Sequence, residues 1–208
     1  MGHSSFKLKG KTTTVVTDPF SSVMVGFKFP KTTADIVTVS HQHQDHNCSS
    51  AIEGEPFIIC APGEYEVKGV SVFGFPSFHD TKSGAERGEN IIFLIEVDGI
   101  KVCHLGDLGV LSSAKIMEEI IGADVLLIPV GGVYTIGPKE AVEVVNQLEP
   151  KMVIPMHFKS SGKNEELSSV EDFLEQMGAE QTERLDKLSL TKDKVPEEMK
   201  VVVLERKT

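Results

Sequence analysis

The sequence has few cysteines, no long apolar run and fewer basic than acidic residues. Three cysteines occur in 208 residues, Cys48, Cys60 and Cys103, and none belongs to a Cys-x-x-Cys pair. A sparse, odd-numbered set argues against a disulfide framework and favours a reducing compartment. No stretch of about 18 apolar residues occurs, and the opening MGHSSFKLKG has no apolar run typical of a secretory signal. We therefore expect a cytoplasmic protein without a membrane-spanning segment.

The charge balance bears on the partners of the chain. Aspartate and glutamate number 31 against 21 lysines and arginines, which gives a net charge of -10. Because a nucleic-acid binder normally presents a basic face, we predict a small-molecule substrate and no nucleic-acid partner. A homo-oligomer remains open. The chain contains no repeat or linker and is predicted to form a single domain over residues 1–208, α/β in class, with helices outside two β-rich halves.

Four potential metal ligands are concentrated in one stretch, SHQHQDHN, at positions 40–47. His41, His43, Asp45 and His46 offer imidazole nitrogen and carboxylate oxygen, which zinc, manganese and iron(II) accept as ligands. Apolar residues at positions 36, 37 and 39 predict a buried strand that ends as the histidines begin. A loop at a strand end can direct several side chains toward one point. The alternative is a polar loop that is rich in histidine for no functional reason.

Three further residues with metal-binding side chains also follow predicted strands. His79 comes after an apolar stretch at 67–75, Asp107 follows the run at 100–105, and His157 follows a short strand at 151–155. The Asp-Gly pair at 98–99 predicts a hairpin leading into the second of these. A surface position is the alternative for His79, and His104 is interpreted as a core residue or a support for the ligands.

The pattern His-x-His-x-Asp-His, with a later histidine, a Gly-Asp pair at 106–107 and a final Pro-Met-His, resembles the metallo-β-lactamase superfamily. The resemblance implies a four-layer αββα sandwich with a one- or two-metal site at its edge. In the family pattern His41, His43 and His79 hold one metal, Asp45, His46 and His157 hold the other, and Asp107 bridges them. The implied cofactors are two divalent ions, zinc in the first place, with manganese or iron as alternatives.

The resemblance also implies supporting roles and a reaction. Asp18, in an Asp-Pro pair, matches a carboxylate that hydrogen-bonds a ligand histidine, although a simple turn is the alternative. Two cations lower the pKa of a shared water, so a metal-bound hydroxide is available at neutral pH. Asp45 would orient it and move its proton. The implied activity is metal-dependent hydrolysis, with Asp45 and Asp107 as catalytic residues.

Two glycine-containing loops, residues 80–90 and 131–135, are predicted to form the substrate wall. Arg87 is the candidate handle for an anionic group and Tyr134 a hydroxyl donor near the leaving group; an ion pair of Arg87 with Glu86 or Glu89 is the alternative. The predicted substrate is a small anionic ester, lactone or phosphoester. The Gly2-His3 pair and the loop after His79 are similar to the lactonase-like branch that includes L-ascorbate-6-phosphate lactonases. A mononuclear iron oxygenase and a non-catalytic binding protein remain the other hypotheses.

Several local predictions concern the second half. Ser112 or Ser113 is predicted to cap a helix through Ile121. A capping box of Ser168 and Glu171 is predicted to start the last helix, and residues 201–204 to add an edge strand.

Overall fold

The computed structural model describes residues 1–111, 113–160, 162–163 and 165–206. Fourteen strands and four α-helices occur within these ranges. The strands are β1 (Lys7–Lys9), β2 (Thr14–Thr17), β3 (Thr32–Thr33), β4 (Ile36–Thr38), β5 (Ile52–Glu53), β6 (Phe57–Ile59), β7 (Gly63–Val67), β8 (Val70–Phe78), β9 (Glu89–Val97), β10 (Ile100–His104), β11 (Val125–Pro129), β12 (Met152–Met156), β13 (Glu183–Leu185) and β14 (Lys200–Leu204). The helices are α1 (Ser22–Val25), α2 (Ala114–Ile120), α3 (Pro138–Leu148) and α4 (Val170–Met177).

Two main sheets contain most of the strands. The first has the order β1-β2-β4-β6, and the second has the order β13-β14-β12-β11-β10-β9-β8-β7. In the first sheet β1 and β2 form an antiparallel hairpin, whereas β2, β4 and β6 are parallel. In the second sheet the strands from β7 to β10 are antiparallel, and those from β10 to β13 in spatial order are parallel. β3 and β5 form a separate parallel pair.

The two sheets pack face to face through apolar side chains. Val15, Ile36 and Ile59 of the first sheet contact a cluster that includes Val72 and Phe93 of the second. The other face of the second sheet is covered by α2, α3 and α4 through a set that includes Ile120, Leu126, Ile128, Ala141, Val145, Leu148, Phe173 and Leu174. The other face of the first sheet packs against α1 and its flanking loops through Val16, Phe20, Val25, Phe29 and Val37. The layers are therefore helix, sheet, sheet, helix, and the predicted αββα sandwich is confirmed.

The direction of the strands decides where their ends meet. β8 and β10 are both antiparallel to β9, so they run the same way, and β12 runs parallel with them. Their carboxyl ends lie immediately before His79, Gly106-Asp107 and His157. β4 of the first sheet ends just before Ser40. Four strand ends from two sheets therefore deliver the candidate ligands to one edge of the sandwich.

Two tight turns near the middle of the chain separate its longest strands. The hairpin predicted at Asp98-Gly99 is confirmed, because both residues have positive φ, 52° and 77°. The single strand predicted at 67–75 is wrong: Lys68 and Gly69 have φ of 51° and 78° and form a turn between β7 and β8. An alternating pattern of small and apolar residues does not reveal a two-residue reversal whose first member is a lysine.

The local predictions in the second half are partly corrected. Ser113 caps α2, since its side chain accepts a hydrogen bond from the Ile116 N–H, while Ser112 lies outside the described residues. The capping box of α4 is formed by Ser169 and Asp172, one residue later than predicted. β14 is also not an edge strand, because β13 pairs along its outer side. Within the described ranges, no helix is both long and apolar enough to cross a membrane.

Candidate metal centre

Asp18 anchors the loop that carries the first four candidate ligands. Its carboxylate accepts hydrogen bonds from the Ser40 N–H at 2.8 Å and from Ser40 Oγ at 2.5 Å. It also lies 2.8 Å from Nδ1 of His46, and both side chains are fully buried. Burial opposes ionisation of Asp18, but His104 and His46 hold the pKa of its carboxyl below the usual value. Because Nδ1 of His46 faces Asp18, Nε2 is the nitrogen that faces the other candidate ligands.

The first group of candidate ligands contains His41, His43 and His79. One nitrogen of each lies within 4.8 Å of the others. The ring centroid of His41 is 4.7 Å from those of both His43 and His79. Burial, followed by the nearby His46, lowers the pKa of His41 to about 3, and burial followed by His79 also lowers the pKa of His43. These two imidazoles are therefore neutral at physiological pH and can donate lone pairs.

The second group contains Asp45, His46 and His157, together with His3. One donor atom of each lies within 4.8 Å of the others. His3 Nε2 is 3.2 Å from Asp45 Oδ2, and its ring centroid is 4.3 Å from that of His157. His3 was not among the ligands predicted from the sequence. A Gly-His pair near the start of the chain is its only sequence signal, and no local periodicity links position 3 to position 157.

Asp107 lies between the two groups. Its Oδ2 is 3.2 Å from Nε2 of both His46 and His157, 3.3 Å from Nε2 of His79 and 3.8 Å from Nε2 of His41. Burial opposes its ionisation, but His157 and His46 hold its pKa well below the usual value. The same carboxylate and that of Asp18 outweigh the effect of burial on His46 and raise the pKa of this imidazole well above its ordinary value.

The turn before Asp107 depends on glycine and on Asn90. Gly106 has a φ of 57°, and a Cβ there would lie 2.3 Å from Asn90 Oδ1 and 2.7 Å from Ser40 Cβ. Asn90 Oδ1 accepts from the Asp107 N–H at 3.0 Å, while its Nδ2 donates to Leu105 O and Ser77 Oγ. Only glycine allows this close approach. Position 106 therefore requires glycine for steric reasons, whereas Asp107 supplies the carboxylate.

The buried donors fit divalent cations. His41 Nε2, His46 Nε2 and Asp107 Oδ1 are buried and lack an aligned hydrogen-bond partner within the described residues. Buried lone pairs without a partner are costly. Cations at the centre of each group would satisfy them, and imidazole and carboxylate are suitable ligands.

Arg87 and Tyr134 contact each other at the surface. The Arg87 guanidinium lies 4.8 Å from the centroid of the Tyr134 ring, and its Nη2 donates to Val133 O at 3.2 Å. The predicted alternative partner Glu86 instead pairs with Lys82 at 2.6 Å. The Tyr134 hydroxyl donates to Glu166, which is the main reason that its pKa is raised, and Asp45 adds a smaller effect. The two predicted loops therefore do meet.

A cavity of about 850 Å³ is lined by residues of β1 and of β10, β11 and β12. Its lining is mostly apolar and includes Phe6, Leu8 and Ile154, together with His3 and His157 of the second group of candidate ligands. Residues of the two predicted substrate loops do not contribute to this lining. The surface of Arg87 and Tyr134 is therefore distinct from this cavity.

The αββα sandwich gathers at one edge the histidines and aspartates that could hold metal ions. The model of a protein family described as "Beta-lactamase superfamily domain" matches residues 1–157. The chain belongs to this superfamily.

Similar proteins agree with this assignment. A "UPF0173 metal-dependent hydrolase" of Korarchaeum cryptofilum is 32% identical over 80% of this chain and 86% of its own length. A protein of the same description from Thermococcus onnurineus is 29% identical over 77% of this chain and 83% of its own length. A crystal structure of a candidate zinc-dependent hydrolase of the metallo-beta-lactamase superfamily from Thermotoga maritima is 44% identical, with a TM-score of 0.83, over 99% of this chain and 96% of that one.

Proposed function

We propose that the chain hydrolyses a small anionic ester, lactone or phosphoester at a centre that holds two divalent metal ions. The observation that carries this proposal is the central position of Asp107, with one carboxylate oxygen 3.2 to 3.8 Å from the Nε2 atoms of His41, His46, His79 and His157. A carboxylate has two oxygens and can contact two cations at once. A centre with one ion would use only one of the two histidine groups. A buried acid that faces both groups therefore favours two ions.

The donor sets suggest how two ions would be held. His41, His43 and His79 would hold the first, Asp45, His46 and His157 the second, and Asp107 both. Bound divalent ions supply a water of near-neutral pKa and polarise the substrate oxygen. All the proposed donors are imidazole nitrogen or carboxylate oxygen, which suits zinc, with manganese and iron(II) as alternatives.

Asp45 is the residue to which we assign proton transfer. Its side chain is 31% exposed, whereas that of Asp107 is 3% exposed. Nε2 of His3 lies 3.2 Å from Asp45 Oδ2, so the carboxylate is held beside the second group of ligands. An oriented carboxylate on the open side of the centre can accept the proton of the attacking water and pass it to the leaving group.

Arg87 supplies the anion selectivity in this proposal. Its guanidinium is held in place by the Tyr134 ring and Val133 O, which reduces the number of conformations it must lose when a substrate binds. The Tyr134 hydroxyl already donates to Glu166, so its role is to support Arg87. Lactones are included in the proposed substrate class because the Gly2-His3 pair and the loop after His79 resemble those of the lactonase-like branch.

The test combines metal analysis with a substrate panel. Protein freed of metal by a chelator is reloaded with zinc, manganese or iron(II), and the ions per chain and the hydrolysis of lactones, esters and phosphoesters are measured. We expect two ions per chain and activity that returns with metal. One iron per chain with oxygen consumption would support the oxygenase hypothesis instead. Hydrolysis that survives complete metal removal would refute the proposal.

A further inference from the structure

The first residues of the chain form a fixed turn beside the metal centre. The Ser5 N–H donates to Gly2 O at 3.0 Å, and Ser5 Oγ donates to Thr17 O at 2.8 Å. The Ser4 carbonyl is 2.8 Å from Nε2 of His104, and both serines are fully buried. These contacts tie the segment to both sheets. The position of His3 is therefore set by the folded core.

The backbone of His3 has a conformation that a histidine rarely adopts. Its φ is 55°, which costs roughly 1 to 3 kcal/mol for a residue with a Cβ. The His3 carbonyl accepts a hydrogen bond from the His157 N–H at 3.3 Å, and His157 also has a positive φ, 51°. Strained residues of this kind are concentrated at functional sites. The two rings lie close together, with their centroids 4.3 Å apart.

The donor atoms around that point have the spacing of a coordination sphere. Atoms bound at about 2.0 to 2.2 Å from one ion lie roughly 3 to 4 Å from each other. His3 Nε2 lies 3.2 Å from Asp45 Oδ2, and all the donors of this group are within 4.8 Å of one another. The His3 side chain is 2% exposed.

We propose that His3 is a direct ligand of the second metal ion, in addition to Asp45, His46 and His157. This inference rests on the proposed function, because it requires an ion at the second group. The second ion would then have five protein donors including Asp107, whereas the first would have four. The second ion should accordingly be bound more tightly, and the less saturated first ion should be the one that the substrate reaches.

A simpler role for His3 is a hydrogen bond to Asp45, and one substitution separates the two roles. His3→Gln keeps an N–H donor that can reach Asp45, but an amide is a poor ligand for zinc. Loss of a residue that only supports a ligand typically lowers metal affinity 10- to 100-fold. A larger loss in His3→Gln would therefore mean that the His3 ring itself coordinates the ion. His43→Gln is the matched control, because it removes a donor from the first group only.

The experiment is a metal titration of the metal-free full chain with zinc and a competing chelator, followed by proton NMR of the cobalt-loaded protein. We expect His3→Gln to lower the affinity for the more tightly bound zinc ion by more than a hundredfold. His43→Gln should lower the affinity for the other zinc ion. We also expect one strongly shifted imidazole N–H resonance to disappear in His3→Gln. The melting temperature of the metal-free variant should equal that of the metal-free wild type, which excludes a general folding defect.

The failures of the two proposals are distinguishable. Two tight ions in both wild type and His3→Gln, with all shifted resonances present, would overturn the role of His3 and leave the proposed function intact. A single ion in wild-type protein would overturn the two-ion centre. In that case the assignment of His3 stands if this ion is lost in His3→Gln, and it falls if the ion is lost only in His43→Gln.

Discussion

The buried carboxylate of Asp18 lies 2.8 Å from Nδ1 of His46, on the side of the ring opposite the candidate metal centre. It thereby fixes the tautomer of the imidazole that faces Asp107. Asp18→Asn should lower the affinity of the second metal ion about 10- to 100-fold, because an amide cannot accept from both His46 and Ser40 as a carboxylate does. Chelator competition measures the effect. Asp35→Asn is the control, since that acid binds Thr14 and Lys68 away from the ligands; an equal loss in both variants would contradict the role of Asp18.

The position of Asp107 predicts a larger effect. Asp107→Ala should release at least one ion per chain and abolish hydrolysis, because no second acid within the described part of the centre contacts both histidine groups. Metal content and turnover measure this. Asp124→Ala removes another buried aspartate, one that binds Lys101 and Lys192, and should keep both ions. Two ions and normal turnover in Asp107→Ala would exclude a bridging role.

Arg87 allows a prediction about substrate charge. A charge-assisted hydrogen bond contributes about 1.5 to 3 kcal/mol, so Arg87→Ala should reduce kcat/KM for an anionic substrate by about ten- to a hundredfold. A neutral analogue should be hydrolysed almost as before. Lys82→Ala, on the same loop but paired with Glu86, should affect neither. Equal losses for both substrates would mean that Arg87 only orders the loop through Tyr134 and Val133.

Gly106 permits a steric test of the turn before Asp107. Gly106→Ala would place a methyl group 2.3 Å from Asn90 Oδ1, so it should displace Asp107 and reduce metal affinity. Gly122 has a similar φ, 68°, and a methyl group there would have no atom within 4 Å. Gly122→Ala therefore carries a similar backbone cost, roughly 1 to 2 kcal/mol, without the clash. If the two variants lose the same amount of stability and both retain metal, the close packing at Gly106 is not required.

The cysteines predict a pattern of thiol reactivity. Burial raises the pKa of the Cys103 thiol, whereas Cys60 is exposed and Cys48 is half-buried. At about pH 8 an alkylating reagent should therefore label Cys60 first, Cys48 next and Cys103 only after unfolding. Mass spectrometry of the labelled protein provides the measurement. Rapid labelling of Cys103 in the native protein would show that the sheet around it opens.

The candidate ligands were predictable from the sequence because their signals are local. Four of them lie within six residues, and His79, Asp107 and His157 each follow an apolar run that forms a strand. Chain direction within a sheet then brings such strand ends to one edge, and the resemblance to the superfamily selected these residues as ligands. The layered fold was likewise implied by that resemblance.

Tertiary structure alone decided the rest, because these features depend on contacts between distant parts of the chain. His3 reaches the centre only because the first turn is tied to β2 and to His104 of the second sheet. Arg87 meets Tyr134 because two loops 46 residues apart converge, as the bond from Arg87 to Val133 shows. The outer strand β13 is three residues long and exists by pairing with β14. Residue periodicity describes which side of a helix or strand is apolar, but it contains no information about which distant backbone lies against it.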